Sequence, residues 1–360
     1  MLRKNLFKSF LVAIAALSII SCQKTPPIEP FDFEQKVLIL NQGNFTEHSA
    51  SISLYDEVTG EIQNRIYESA NGVSIGATIV SGSIASMDEV FLVCNNPDKI
   101  DVIDCKSAKL KGTPITEGLE SPRYILVGNN RIFVSNWGYE YTELPSGFWE
   151  FDKSFVAIYD RATRELVSKT EVGTDAEGMV VMGNRLYIAV KEGVKVFTIV
   201  NDNLIHERTI LPNGFYGGAK HFVLDHSYNI WASFPEKGVV QIDPVTLEVL
   251  KIVDVPIDFM DGNIAINSIG TTIYTYNTEF DSNYAPVESN IYSVDTNTGV
   301  VEKFFSGNYF YGVAMSPFTG DIFASEVSFT SNSLVKIIGA NKELKKSVTA
   351  GVGTFRFLFF

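Results

Sequence analysis

GNNRIFVSN (128–136), MGNRLYIAV (182–190), HSYNIWASF (226–234), IGTTIYTYN (269–277) and FTGDIFASE (318–326) are one phrase written five times. Each opens on a tight turn of Gly, Asn or Asp and closes on a strand of aliphatic and aromatic residues. SMDEVFLVC (86–94) repeats it with an acidic turn, and QKVLILNQG (35–43) is a first copy. The landmarks Leu38, Phe91, Phe133, Tyr187, Trp231, Tyr274 and Phe323 span 285 residues in six intervals, a mean of 47.5. A repeat of that length is one supersecondary unit that buries its faces only by stacking on copies of itself.

A second phrase confirms the period from different residues. LYDEVTGEI, IYDRATREL, QIDPVTLEV and SVDTNTGVV share Asp-x-x-Thr, at Asp56/Thr59, Asp160/Thr163, Asp243/Thr246 and Asp295/Thr298. An Asp carboxylate there accepts backbone N–H groups of a hairpin turn, so these acids are read as turn residues and not as catalytic groups. DCKSAKL at Asp104 is a variant. Each unit is therefore four antiparallel strands, and the chain is all-β, a seven-bladed β-propeller. The first unit begins at its second strand, whereas GTFRFLFF (353–360) ends the chain as an inner strand with nothing after it. The C-terminal strand is expected to pair into the first blade and close the ring, which hides both sheet edges.

Ahead of the repeats, MLRKNLFKSFLVAIAALSIISC carries a basic start, a short apolar run and Ser21-Cys22. That pattern is an export signal, too short to span a bilayer stably. Its ending resembles the bacterial lipobox, which makes Cys22 the expected lipidated N-terminus. The expected organisation is a signal peptide at 1–21, a Pro-rich tether at 22–35 and one propeller domain at 36–360.

Asp and Glu number 42 against 29 Lys and Arg, a net charge of −13. Such a surface repels polyanions, so nucleic acid is excluded as a partner. Cys94 and Cys105 are expected to be buried thiols. No Ser/His/Asp constellation and no metal-ligand spacing stands out; His221 and His226 are read as structural. The expectation is no catalytic residue, no metal and no cofactor.

In a four-stranded meander the stereotyped turns fall on one rim, and the longer, more varied connections on the other. The second rim is the expected functional one. It gathers Gln42, Asn44 and Phe45 from the first blade, Asn95 and Asn96 from the second, and Asn136, Trp137 and Trp149 from the third. Phe215, Tyr216, Phe280, Tyr309 and Tyr311 come from later connections. Aromatic rings bury large area at small entropic cost while amides orient a ligand, so these residues are the candidate binding set. Some of the rings are expected to pack under their own loops.

NQGNF followed by ASISLYDEVTGEI, SPRYIL (121–126) and DAEGMVV (175–181) resemble the corresponding motifs of YncE-like seven-bladed propeller lipoproteins of Gram-negative gut-type bacteria. Gln42 stands where that family usually has Glu, and Ala176 where it usually has Pro. The resemblance implies a surface lipoprotein, anchored in the outer membrane, that captures cobalamin and hands it to a TonB-dependent transporter. Cobalamin is implied as transported ligand, not as cofactor. Three alternatives stand beside it: capture of a siderophore or other nutrient, a protein-binding or adhesive propeller, and a propeller lyase or hydrolase. A ferric catecholate would want a cation cluster, for which the sequence offers only scattered Lys99, Arg123, Lys220 and Lys237.

Overall fold

The computed structural model describes residues 34–360 apart from Met87, Tyr216 and Glu236. The signal peptide, Cys22 and the tether up to residue 33 lie outside the described residues. From Gln35 to Phe360 the chain forms one unit of seven antiparallel blades.

The first blade has the order Thr354–Phe359, Lys36–Asn41, Ser51–Asp56, Ile62–Gln63, so its innermost strand is the last of the chain. Val37 sits opposite Phe359 and Ile39 opposite Phe357. Lys36 and Phe360 exchange backbone hydrogen bonds of 2.9 and 3.0 Å, closing the ring. Five further blades have four sequential strands each. In the second, Thr78–Ser86, Glu89–Asn95 and Lys99–Ile103 form the sheet, and its outer edge is carried by bridges to Leu110 and Ile115.

Alternation along the second strands explains the ring. Leu38 and Leu40 pack toward the second blade with Ile79, Val90 and Leu92, whereas Val37 and Ile39 pack toward the seventh with Val335 and Ile337. Seven apolar clusters result, one at each blade-to-blade interface. A strand buried on both faces has no polar side, so it reads as a continuous apolar run such as VLIL. Outer strands alternate between burial and exposure, as Val249–Val253 does. The inner strands approach one another closely: a Cβ on Gly312 would lie 2.0 Å from the Phe355 carbonyl oxygen, so only glycine fits there.

The Asp-x-x-Thr turns behave as their spacing predicts. Asp56 accepts the Val58 and Thr59 N–H groups at 2.9 Å each, and Asp160, Asp243 and Asp295 repeat the pattern. Those bonds hold the four carboxyls below their ordinary values. One short helix, α1 (Ile66–Asn71), which the repeat pattern does not predict, lies in the connection between the first two blades. Tyr67 anchors it, buried and donating to Asp101 at 3.3 Å. Cys94 and Cys105 are buried and not joined in a disulfide, and burial, with Asp101 nearby, pushes the Cys94 thiol upward.

Candidate functional site

Three connections on the varied rim meet above the first three blades. They are the loop 42–50, the turn around Asn96-Pro97, and the long loop 137–153, which folds into a small hairpin of Thr142–Glu143 and Trp149–Glu150. Between them lies an open cleft of about 500 Å³, lined by Phe45, Asn95, Asn96, Tyr139, Tyr141, Trp149 and Phe151 among others. Phe45, Tyr139, Tyr141, Phe148 and Trp149 are each between 54% and 65% exposed. So many bare rings in adjacent loops cost hydration free energy that a bound apolar ligand would recover.

The rings are ordered by contacts with each other. Tyr141 leans on Trp149 at 5.4 Å and on Phe151 at 6.0 Å, and Phe151 stacks on Trp137 at 4.6 Å. The Arg123 guanidinium sits 3.9 Å from the Trp137 ring, so the stack runs from the rim to the inner strands. The Tyr139 hydroxyl donates to Asp98 at 2.7 Å. Two buried polar atoms have no protein partner: Asn95 Oδ1, on a residue that lines the cleft, and Trp137 Nε1, on the ring stacked against Phe151 and outside the lining. Buried polar groups are ordinarily satisfied, so Asn95 Oδ1, on the lining residue, is left for a ligand or water to satisfy.

The remaining sequence-selected residues divide. Gln42 is half-buried, its backbone N–H donating to the Gly353 carbonyl at 2.8 Å, and does not line the cleft. Asn44 shapes its own loop: Oδ1 accepts from Thr46 and Glu47, and Nδ2 donates to the Phe329 carbonyl. Asn96 is exposed, 3.2 Å from His48. Asn136 has no exposed surface; its amide binds Glu120 N–H and the Val134 carbonyl, so it braces the rim from beneath instead of lining it. Phe215 folds edge-on against Phe234, and Tyr311 against Phe329. Phe280 and Tyr309 pair at 5.7 Å in the connections of the sixth and seventh blades. Neither lines the aromatic cleft. Tyr216 lies outside the described residues.

A second feature escaped the sequence reading. At the channel mouth Glu177 receives Arg123 Nε and Nη2 and Lys220 Nζ, each at 3.2 Å. Beside them Arg356 Nη2 lies 3.4 Å from Asp261 and 3.1 Å from His221 Nε2. Burial alone would raise the Glu177 carboxyl, but Arg123 and Lys220 outweigh it and hold it at about 2. Asp261 is likewise held well below the ordinary range, against its burial, by Arg356 and His221. Burial, then the Arg356 charge, lowers His221, so the imidazole is neutral near pH 7. Arg123 and Arg356 lie on two inner strands, and Glu177, Lys220, His221 and Asp261 on the connections leading into three others. The only signal was a charged or basic residue near the start of an inner strand: SPRYIL holds Arg123, DAEGMVV holds Glu177, and TFRFLF holds Arg356. Gly178 of the second motif is required by packing, because a Cβ there would lie 2.6 Å from the Lys220 carbonyl oxygen. Thus two of the four scattered cations converge, but both are engaged by the one carboxylate of Glu177, which offsets part of their charge. Lys99 is likewise paired, with Asp101 at 2.8 Å. Among the described residues no group of three His, Cys, Asp or Glu side chains is placed to hold a metal ion.

Fold and rim together define a seven-bladed propeller with a ligand-sized aromatic cleft. The chain belongs to the family of the domain of unknown function DUF5074, whose model matches residues 35–350. No curated protein matches its sequence. Among solved structures it is similar to the periplasmic gluconolactonase PpgL of Pseudomonas aeruginosa, at 14% identity and TM-score 0.62, covering 89% of this chain and 98% of that one. A quinoprotein alcohol dehydrogenase-like protein of Bacteroides thetaiotaomicron matches at 13% identity and TM-score 0.62, over 89% of this chain and 78% of that one. AztD of Citrobacter koseri matches at 8% identity and TM-score 0.57, over 90% and 97%. At these identities the likeness is one of fold.

Proposed function

We propose that this protein is a non-catalytic capture protein whose rim cleft takes a large, partly apolar ligand, and that the ligand is a corrinoid. The observation that carries the reading is one cleft lined by four exposed rings, Phe45, Tyr139, Tyr141 and Trp149, together with the amides of Asn95 and Asn96, on the side of the propeller away from its stereotyped turns. A corrin edge presents amides that can pair with those of Asn95 and Asn96, while its apolar faces cover the rings. A ligand with no large net charge also suits an acidic surface whose rim cations are engaged in pairs. With Cys22 lipidated, the protein would sit on the outer membrane, on its outer face, and pass the ligand to a TonB-dependent transporter.

Calorimetric titration with cyanocobalamin tests the reading directly. Binding at nanomolar to low micromolar strength is expected, and Trp149→Ala should weaken it by about tenfold without lowering the melting temperature, because the ring is exposed. Absence of heat and of co-elution at micromolar protein would reject the corrinoid. A ferric siderophore that bound instead would keep capture and change the cargo; a pull-down that retrieved a protein with no small molecule would favour an adhesive role. Loss of lipid incorporation in Cys22→Ser and protease shaving of intact cells test the anchor and the exposed face. Co-purification of a TonB-dependent transporter with the tagged protein tests the partner.

One observation favours a second reading, hydrolysis of a lactone as in the name of the Pseudomonas relative. Neutral, buried His221 stands among Arg123, Glu177 and Arg356 at the channel mouth, where a base and oxyanion donors would be needed. Glucono-1,5-lactone opening no faster with the protein than without it would dismiss this reading.

A further inference from the structure

Within the channel the inner strands of the first, second, third, sixth and seventh blades enclose a cavity of about 200 Å³. Arg356 is the only charged residue lining it among those described, and no carboxylate faces it. Two of its lining side chains carry polar atoms without protein partners: the Arg356 Nε–H, and the Ser81 hydroxyl on a residue only 3% exposed. The Tyr124 side chain lines the same space, and Ile264, Val313 and Leu358 form an apolar wall. The Asn263 amide oxygen is already used by the Val313 N–H at 2.8 Å. The cavity thus offers the Nε–H of a guanidinium whose Nη2 is paired with Asp261 at 3.4 Å, and an unpartnered hydroxyl, with hydrocarbon around them.

We propose that this cavity is a binding site, separate from the rim cleft, for a small monocarboxylate with an apolar body. The carboxylate would accept from Arg356 Nε–H and Ser81 Oγ–H, a charge-assisted pair of bonds in a water-poor space. Filled at ordinary protein density, the volume holds about eight to ten non-hydrogen atoms, which excludes the rim's large ligand and admits benzoate or hexanoate. A neutral amide of the same shape keeps the apolar contacts but forfeits the charge-assisted bond to the Arg356 Nε–H.

Titration of the intact protein with benzoate, hexanoate, benzamide and inorganic phosphate, read by calorimetry and by melting temperature, tests the site. Benzoate and hexanoate should saturate a single site, benzamide should bind at least about tenfold more weakly, and phosphate should not bind. Arg356→Gln should weaken benzoate by about tenfold or more and Ser81→Ala by about threefold. No saturation by either carboxylate up to about 10 mM, equal binding of benzamide, or a folded Arg356→Gln variant with unchanged affinity would overturn the proposal. Should Arg356→Gln fail to fold, the benzoate-to-benzamide ratio on the unaltered protein and the Ser81→Ala titration decide alone. Cyanocobalamin should not displace benzoate, so failure here and failure of the rim reading are separate results.

Discussion

Replacing Glu177 by Gln keeps the shape of the channel mouth and removes one charge. In the native protein that carboxylate is 7% exposed and compensates both Arg123 and Lys220 at 3.2 Å. Stranding a buried charge costs about 3–5 kcal/mol, but the two cations keep roughly a fifth to a quarter of their side-chain surface in water, so about 3 kcal/mol is the working figure. For the unit Gln35–Phe360, about 2.1 cal/mol/K per residue gives an unfolding entropy of about 0.7 kcal/mol/K. Glu177→Gln should therefore lower the melting temperature by about 4 °C at neutral pH, measured by differential scanning calorimetry. The pH dependence supplies a second check. A depressed carboxyl contributes stability above its unfolded value and loses it as pH falls through the folded one, here about 2. The gap between wild type and variant should thus be widest near neutrality and close between the ordinary Glu range and about pH 2. Adding Lys220→Met should return part of the loss by removing a stranded cation. A gap under about 1 °C, or one constant with pH, would refute the argument that this carboxylate balances the channel mouth.

Truncation after Gly353 removes the closing strand and the buried rings of Phe355, Phe357 and Phe360. At about 1.5–3 kcal/mol per ring the loss rivals the stability of a whole domain, so near-ultraviolet circular dichroism should vanish. A soluble truncation that melts cooperatively would count against ring closure as the source of stability. Asp225→Ala should cost about 3 kcal/mol by chemical denaturation, since it strands the buried Trp231 Nε1–H and the Gln241 amide, now 3.0 and 2.7 Å from the carboxylate. Burial would raise Asp225, but those donors hold it down, so its contribution should fade only in acid, as pH falls through its lowered value. Asp56→Ala should lower the melting temperature by only about 1–2 °C, because its turn is solvated, and should leave cyanocobalamin binding unchanged.

The Asp-x-x-Thr turns and the aliphatic-aromatic strands were legible because each depends on a few adjacent residues. The C-terminal strand was legible by default, since the first unit lacked an inner strand. Phe45, Asn95, Asn96 and Trp149 were found on the rim because exposed aromatics and amides in long connections stand out against short turns. Asn136 was misplaced for a local reason: the same Asn that can hydrogen-bond a ligand can satisfy the start of a connection, and only the Glu120 and Val134 contacts distinguish the two. Helix α1 was missed because six residues carry too little period to detect.

By itself the sequence determined the number of blades, their strand order and the rim that carries the varied loops, since these follow from period and punctuation. The tertiary structure alone decided that Arg123, Glu177, Lys220, His221, Asp261 and Arg356 share one channel mouth. Those residues are up to 233 positions apart, and each looks like an isolated charge at the start of a strand. Ring closure brings the inner strands together, and the low-dielectric channel then turns isolated charges into a coupled network.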